Sequence, residues 1–223
     1  MNQPLLPSIE IETGPNPRHS VIWLHGLGAD GNDFAPIVPE LRLPANLPVR
    51  FVFPHAPVQP VTINGGMAMR AWYDILVPNL VRVEDEKGIR ISEQGVRALI
   101  DQEISRGIAS DRIVLAGFSQ GCAMTLHTGL RAPYKLAGLM ALSGYLPLID
   151  MVEKELHPVN IDTPVFMAHG SFDPVVTIDR AEASLKKMTD LGFKVQWHTY
   201  PMPHSVCPDE IDDISAFLRS VLI

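Results

Sequence analysis

Cysteine is almost missing from this chain of 223 residues: Cys122 and Cys207 stand far apart and make neither a metal-like nor a redox-like spacing. Two free thiols are expected, and with no His-Glu-x-x-His or Cys/His cluster no metal is expected. Positive charge is scarce too. The formal charge is −7, and no basic run exists that could neutralise phosphates, so neither nucleic acid nor an anionic membrane surface is expected as a main partner. No apolar run approaches the length of a membrane span, so no integral membrane segment is expected. The opening Met1-Asn2-Gln3-Pro4 lacks the basic start and apolar core of a signal peptide, which makes the cytoplasm the expected location. Repeats, low-complexity tracts and linkers are also missing, so residues 1–223 are expected to form a single domain.

What is present reads as strands alternating with helices. Ile9 and Ile11 alternate with glutamates, as in a half-exposed edge strand. Ser20 to His25, Val49 to Phe53, Ile113 to Ala116, Ala137 to Leu142, Pro164 to His169 and Lys194 to Thr199 read as strands, several of them continuous apolar runs of the kind covered on both faces. A short helix is expected from Asp33 to Leu41, with Asn32 as its cap. Another should start at Ser92 and present Val96, Leu99, Ile100 and Ile104 on one apolar face. Further helices should follow Gly121, run from Ile178 to Leu191, and begin near Pro208. Between His55 and Lys87 the pattern breaks down, and this long loop is expected to cover an apolar pocket. The rhythm predicts an α/β fold with a mainly parallel central sheet and helices on both faces.

The chemistry concentrates at Gly117-Phe118-Ser119-Gln120-Gly121, which lies between a buried strand and a helix. Gly-x-Ser-x-Gly in that context is the nucleophile elbow of the α/β-hydrolase fold. A helix starting directly behind Ser119 favours negative charge near its hydroxyl. Gly26-Leu27-Gly28 lacks the third glycine of a dinucleotide loop, and no Gly-Lys-Ser/Thr occurs, so no nucleotide cofactor, indeed no cofactor of any kind, is expected. A serine needs a base, and the base needs a partner that fixes its tautomer. In this fold the acid and then the histidine follow at the ends of later strands. Asp173 lies just past the strand ending at His169, and His204 just past the strand ending at Thr199. Asp162 precedes its strand, Asp179 belongs to the next helix, and the remaining histidines fall within elements or in turns elsewhere. The oxyanion of the intermediate would be held by the backbone N–H groups of Gln120 and Leu27, with His25 ordering the loop.

His25-Gly26-Leu27-Gly28-Ala29-Asp30-Gly31, Trp72-Tyr73-Asp74, the serine motif, His169-Gly170-x-x-Asp173 and Tyr200-Pro201-Met202-x-His204 together resemble the phospholipase/carboxylesterase family. The resemblance covers nearly the whole chain. It implies an α/β-hydrolase core with no large cap domain, and hydrolysis of esters or thioesters of medium to long acyl chains by Ser119, His204 and Asp173 through an acyl-enzyme. Substrates so implied are small-molecule esters, lysophospholipids or acylated proteins, and a homodimer is a common state in the family. It also implies an acyl-channel cover over Gly65 to Glu84, with Trp72, Leu76 and Val77 in its wall. Two positions depart from the family pattern: Cys122 stands where glycine is frequent, and Pro203 precedes the histidine. Alternative readings are a lysophospholipase, a serine peptidase, for whose shielding domain the chain is too short, and a non-catalytic ligand-binding protein, which would be expected to have lost a triad member.

Overall fold

The computed structural model describes residues 5–76 and 83–223. Nine strands and five α-helices follow in chain order among these residues. They are β1 (Ser8–Glu12), β2 (His19–Leu24), β3 (Val49–Pro54), β4 (Val58–Val61), β5 (Met67–Arg70), α1 (Glu86–Ser105), β6 (Ile113–Phe118), α2 (Gln120–Arg131), β7 (Gly138–Leu142), α3 (Val152–Glu155), β8 (Val165–Gly170), α4 (Ile178–Asp190), β9 (Val195–Tyr200) and α5 (Pro208–Leu222). Seven strands form the central sheet in the order β1-β3-β2-β6-β7-β8-β9, while β4 and β5 make a separate hairpin. Only the edge strand β1 runs antiparallel to its neighbour in that sheet.

Side chains alternate across the sheet, as a pleated strand requires. On one face Ile22, Leu24, Ile113, Leu115, Leu139 and Val165 pack against apolar residues of α1, α2 and α4. On the other, Val21, Trp23, Val114, Ala116, Met140 and Phe166 meet α5 and a 3-10 helix over Ala35–Leu41. The result is an α/β-hydrolase fold without a large cap domain. No helix of the described residues is long and apolar enough to cross a membrane.

Strand order positions the site. The chain steps from β2 outward to β3 and then returns to β6 on the other side of β2. The carboxyl ends of β2 and β6 therefore flank the point where the order reverses, the place at which open α/β sheets bind ligands. Both the His25–Gly28 loop and Ser119 emerge there.

Several expected elements differ from what is found. Helix α1 begins at Glu86, six residues ahead of Ser92, because the Asp85 side chain caps it by accepting the Gly88 N–H at 2.9 Å. A Cβ at residue 88 would sit 2.0 Å from that carboxylate, so glycine is what lets Asp85 fold over the helix end. Ser92 is instead buried inside α1, where its hydroxyl donates to the Trp72 carbonyl. Ile104 does not complete the apolar face and is 36% exposed, since α1 ends there and turns to solvent. The expected helix at Asp33 is a 3-10 segment starting at Ala35 with Phe34 as cap, and Asn32 bonds to Asp30 instead. The long loop also contains the β4–β5 hairpin, which Asp74 ties down by accepting the Thr62 amide at 2.7 Å and the Thr62 hydroxyl at 2.5 Å.

Candidate active site

Ser119 is the corner between β6 and α2, with φ 55° and ψ −116°. Positive φ is strained for a residue with a side chain and persists only where the surroundings enforce it. Here the Ser119 N–H donates to the Leu142 carbonyl at 2.9 Å and its own carbonyl accepts from Ala123 at 3.1 Å. Close packing completes the clamp. A Cβ at Gly121 would lie 2.2 Å from the Leu24 carbonyl oxygen, and one at Gly144 would lie 2.5 Å from Cys122 Sγ and 2.7 Å from the Ser119 carbonyl.

Asp173 and His204 come together. His204 Nδ1 lies 2.6 Å from Asp173 Oδ2, in a charge-assisted bond with a carboxylate that is itself almost enclosed. The other oxygen, Oδ1, accepts from the amides of Val175 at 2.8 Å and Val176 at 2.9 Å, which fixes the carboxylate plane. His169, at the end of β8, donates from Nε2 to the Val176 carbonyl at 2.8 Å and closes the same turn. Its ring is also 3.5 Å from Asp173 Oδ2. The imidazole of His204 packs on Phe118, ring centres 4.7 Å apart, which ties it to the residue just before Ser119.

The loop after β2 passes directly over the elbow, since a Cβ at Gly26 would be 3.4 Å from Ser119 Cβ. Within that loop the Gly28 amide is committed to the Arg70 carbonyl at 2.8 Å. Leu27 lies between Gly26, against Ser119, and this anchored amide. Gln120 opens α2, where first-turn amides have no acceptor inside the helix. His25 is enclosed and bonded on both ring nitrogens: Nδ1 donates to the Gly26 carbonyl at 2.7 Å and Nε2 accepts from Ala56 at 3.0 Å. Burial lowers its proton affinity and keeps it neutral, which suits a loop-ordering role.

Of the expected channel wall, Leu76 is half-buried, Trp72 is 1% exposed, and Val77 lies outside the described residues. Trp72 is held by its polar atoms. The indole N–H donates to the His25 carbonyl at 2.9 Å, and the backbone N–H donates to Gln120 Oε1 at 2.8 Å. The Gln120 side chain was not singled out from sequence, and its only signal there is its place beside the serine.

The sequence profile of the phospholipase/carboxylesterase family matches residues 7–222. The chain belongs to that family. It is a hydrolase. Among its relatives, acyl-protein thioesterase 1 of Gibberella zeae is 43% identical over 91% of this chain and 90% of that protein. Acyl-protein thioesterase 1 of Neurospora crassa is 45% identical over 92% of this chain and 88% of its own length. Among solved structures, Arabidopsis thaliana SOBER1 superposes with a TM-score of 0.87 at 31% identity, covering 92% of this chain and all (100%) of that one. Acyl-protein thioesterase 2 of Zea mays gives 0.83 at 26% identity, over 96% of this chain and 99% of its own. Membership in the family accounts for the compact core and the absence of a large cap.

Proposed function

We propose that this family member hydrolyses acyl thioesters and esters through a covalent acyl-serine, with long-chain acylated protein as its principal substrate class. Ser119 Oγ attacks the acyl carbon while His204 Nε2 takes the hydroxyl proton. The C–S or C–O bond then breaks and the same proton leaves with the thiol or alcohol. Water repeats the sequence on the acyl-enzyme and releases the fatty acid. Asp173 holds the imidazole with Nδ1 protonated, and the amides of Leu27 and Gln120 receive the developing oxyanion. The observation that carries this reading is the 2.6 Å bond between His204 and Asp173 beyond the ends of β9 and β8, with a strained serine past the end of β6 in the same sheet. The names of the fungal relatives support the thioester over the simple ester.

Leu76 is assigned to the wall of the acyl channel, with the enclosed Trp72 beside it as backing. A lysophospholipid is the second substrate, favoured by the family's description as phospholipases as well as carboxylesterases. The assignment to one domain is supported by the seven-stranded sheet, which draws its strands from β1 to β9 and carries an apolar core on each face. Two unpaired cysteines support a cytoplasmic setting, and a homodimer is the proposed assembly.

Labelling with a fluorophosphonate should mark wild type and leave Ser119→Ala unmarked, and that variant should lose about four or more decades in kcat while melting like wild type. A graded series of acyl thioesters and p-nitrophenyl esters should show kcat/KM rising with chain length, since each buried CH₂ is worth about 0.8 kcal/mol. A tenth of the activity surviving in Ser119→Ala would refute the nucleophile, and monotonic decline from acetate onward would refute the acyl channel.

A further inference from the structure

The two amides assigned to the oxyanion come from elements far apart in sequence, the loop after β2 and the start of α2. An oxyanion site works only when its donors are held at hydrogen-bond distance from one point, and a 1 Å displacement costs about a hundredfold in rate. The β2 loop is soft by composition: Gly26 and Gly28 bracket Leu27, and Gly28 has φ +78°. Something must hold it in register with α2.

We infer that Trp72 and the side chain of Gln120 form a strut that locks the Leu27 and Gln120 amides to one another, so that both are positioning residues for the hydrolysis proposed above. At one end, the Gln120 side-chain amide pairs with the backbone of Trp72-Tyr73, accepting the Trp72 N–H at 2.8 Å and donating to the Tyr73 carbonyl at 2.7 Å. At the other end, the Trp72 indole donates to the His25 carbonyl at 2.9 Å, directly behind Gly26 and Leu27. The indole also lies against the His25 ring, centres 5.3 Å apart, and that ring holds the Gly26 carbonyl. Ser92 on α1 fixes the strut from behind by donating to the Trp72 carbonyl.

The residue types suit this role. A planar amide is the side chain that offers a donor and an acceptor side by side, as a backbone peptide does. Gln120 is 4% exposed and spends one donor and its acceptor on Trp72-Tyr73 rather than on a space that substrate could occupy. Trp72 is 1% exposed, so its indole acts through the His25 carbonyl rather than by touching an acyl chain. This inference rests on the acyl-serine reading and adds the means by which its two donors are kept in register.

The test compares Gln120→Met, which keeps length but neither hydrogen bond, with Trp72→Phe, which deletes the indole N–H. Each is assayed for kcat and KM on one thioester, for the rate and endpoint of fluorophosphonate labelling, and for the affinity of an alkyl boronic acid, whose tetrahedral serine adduct places an oxygen in the oxyanion site. Both variants should lose about ten- to a hundredfold in kcat, with KM within about threefold. Boronate affinity should fall in parallel, and labelling should be slower but reach the wild-type endpoint. The double variant should lose less than the product of the two single losses, because both cut one strut. Should Gln120→Met fail to fold by circular dichroism, Trp72→Phe decides alone. A folded variant with kcat within twofold of wild type, or with a raised KM and unchanged kcat, overturns the strut and leaves the acyl-serine reading standing. Failure of wild type itself to label at Ser119 overturns both.

Discussion

Cys122 occupies the first turn of α2, three residues beyond Ser119, and no part of it reaches solvent. Burial pushes its thiol far above the usual range, against the pull of a helix N-terminus. It is a small apolar filler against Gly144, not a second nucleophile. In native protein a thiol reagent should therefore reach Cys207, which is half-buried, and not Cys122. Both should titrate once the chain is unfolded without reductant, and Cys122→Gly should keep activity within about threefold. Fewer than two thiols in the unfolded, unreduced protein, or a hundredfold loss in the variant, would contradict this. At this scale the sequence was most informative about placement at strand ends, as for Ser119 after β6, Asp173 after β8 and His204 after β9. It was silent on the side chain of Gln120, which bonds to a residue 48 positions away in a stretch without periodicity.

Among the elements, α1 shows what a local signal can conceal. The expected start at Ser92 missed its first turn, where Gly88 is the residue that lets Asp85 cap the helix. Asp85 also accepts the Asp74 N–H at 3.0 Å, which ties α1 to the segment after the hairpin. Asp85→Ala should destabilise the protein by about 1–2 kcal/mol through the lost cap, lowering Tm by roughly 2–4 °C per kcal/mol. Thermal melts of Asp85→Ala check this, and an unchanged Tm would show that the cap contributes nothing. The central strands were legible because cover on both faces makes them continuous apolar runs. The β4–β5 hairpin was not, because it packs on little: Val58 is 62% and Met67 65% exposed, and Val61 alone of its eight residues is fully buried, too few to leave a pattern of alternation.

For the molecule as a whole, stability should depend on pH through Glu210, which is enclosed in the first turn of α5. Burial, with Asp213 adding to it, pushes this carboxyl from 4.5 up to about 8. Between those values the unfolded chain has released a proton that the folded chain keeps, so this group's contribution to stability falls as pH rises and levels off above the window. The steepest slope is about 1.4 kcal/mol per pH unit. Burial holds His25 and His127 below their ordinary value, so they act in the opposite sense over the acidic part of that range. The readout is accordingly the difference in Tm between wild type and Glu210→Gln, which should widen in favour of the variant from pH 5 to pH 8. A constant difference would mean that Glu210 is ionised throughout. The strand order that builds the site also sets a sequence of events in time. Ser119 follows the middle strand β6, whereas His204 follows β9 at the far edge, near the end of the chain. A polypeptide leaving the ribosome thus presents Ser119, the proposed nucleophile, before His204, its proposed base, and a serine without its base is a weak nucleophile.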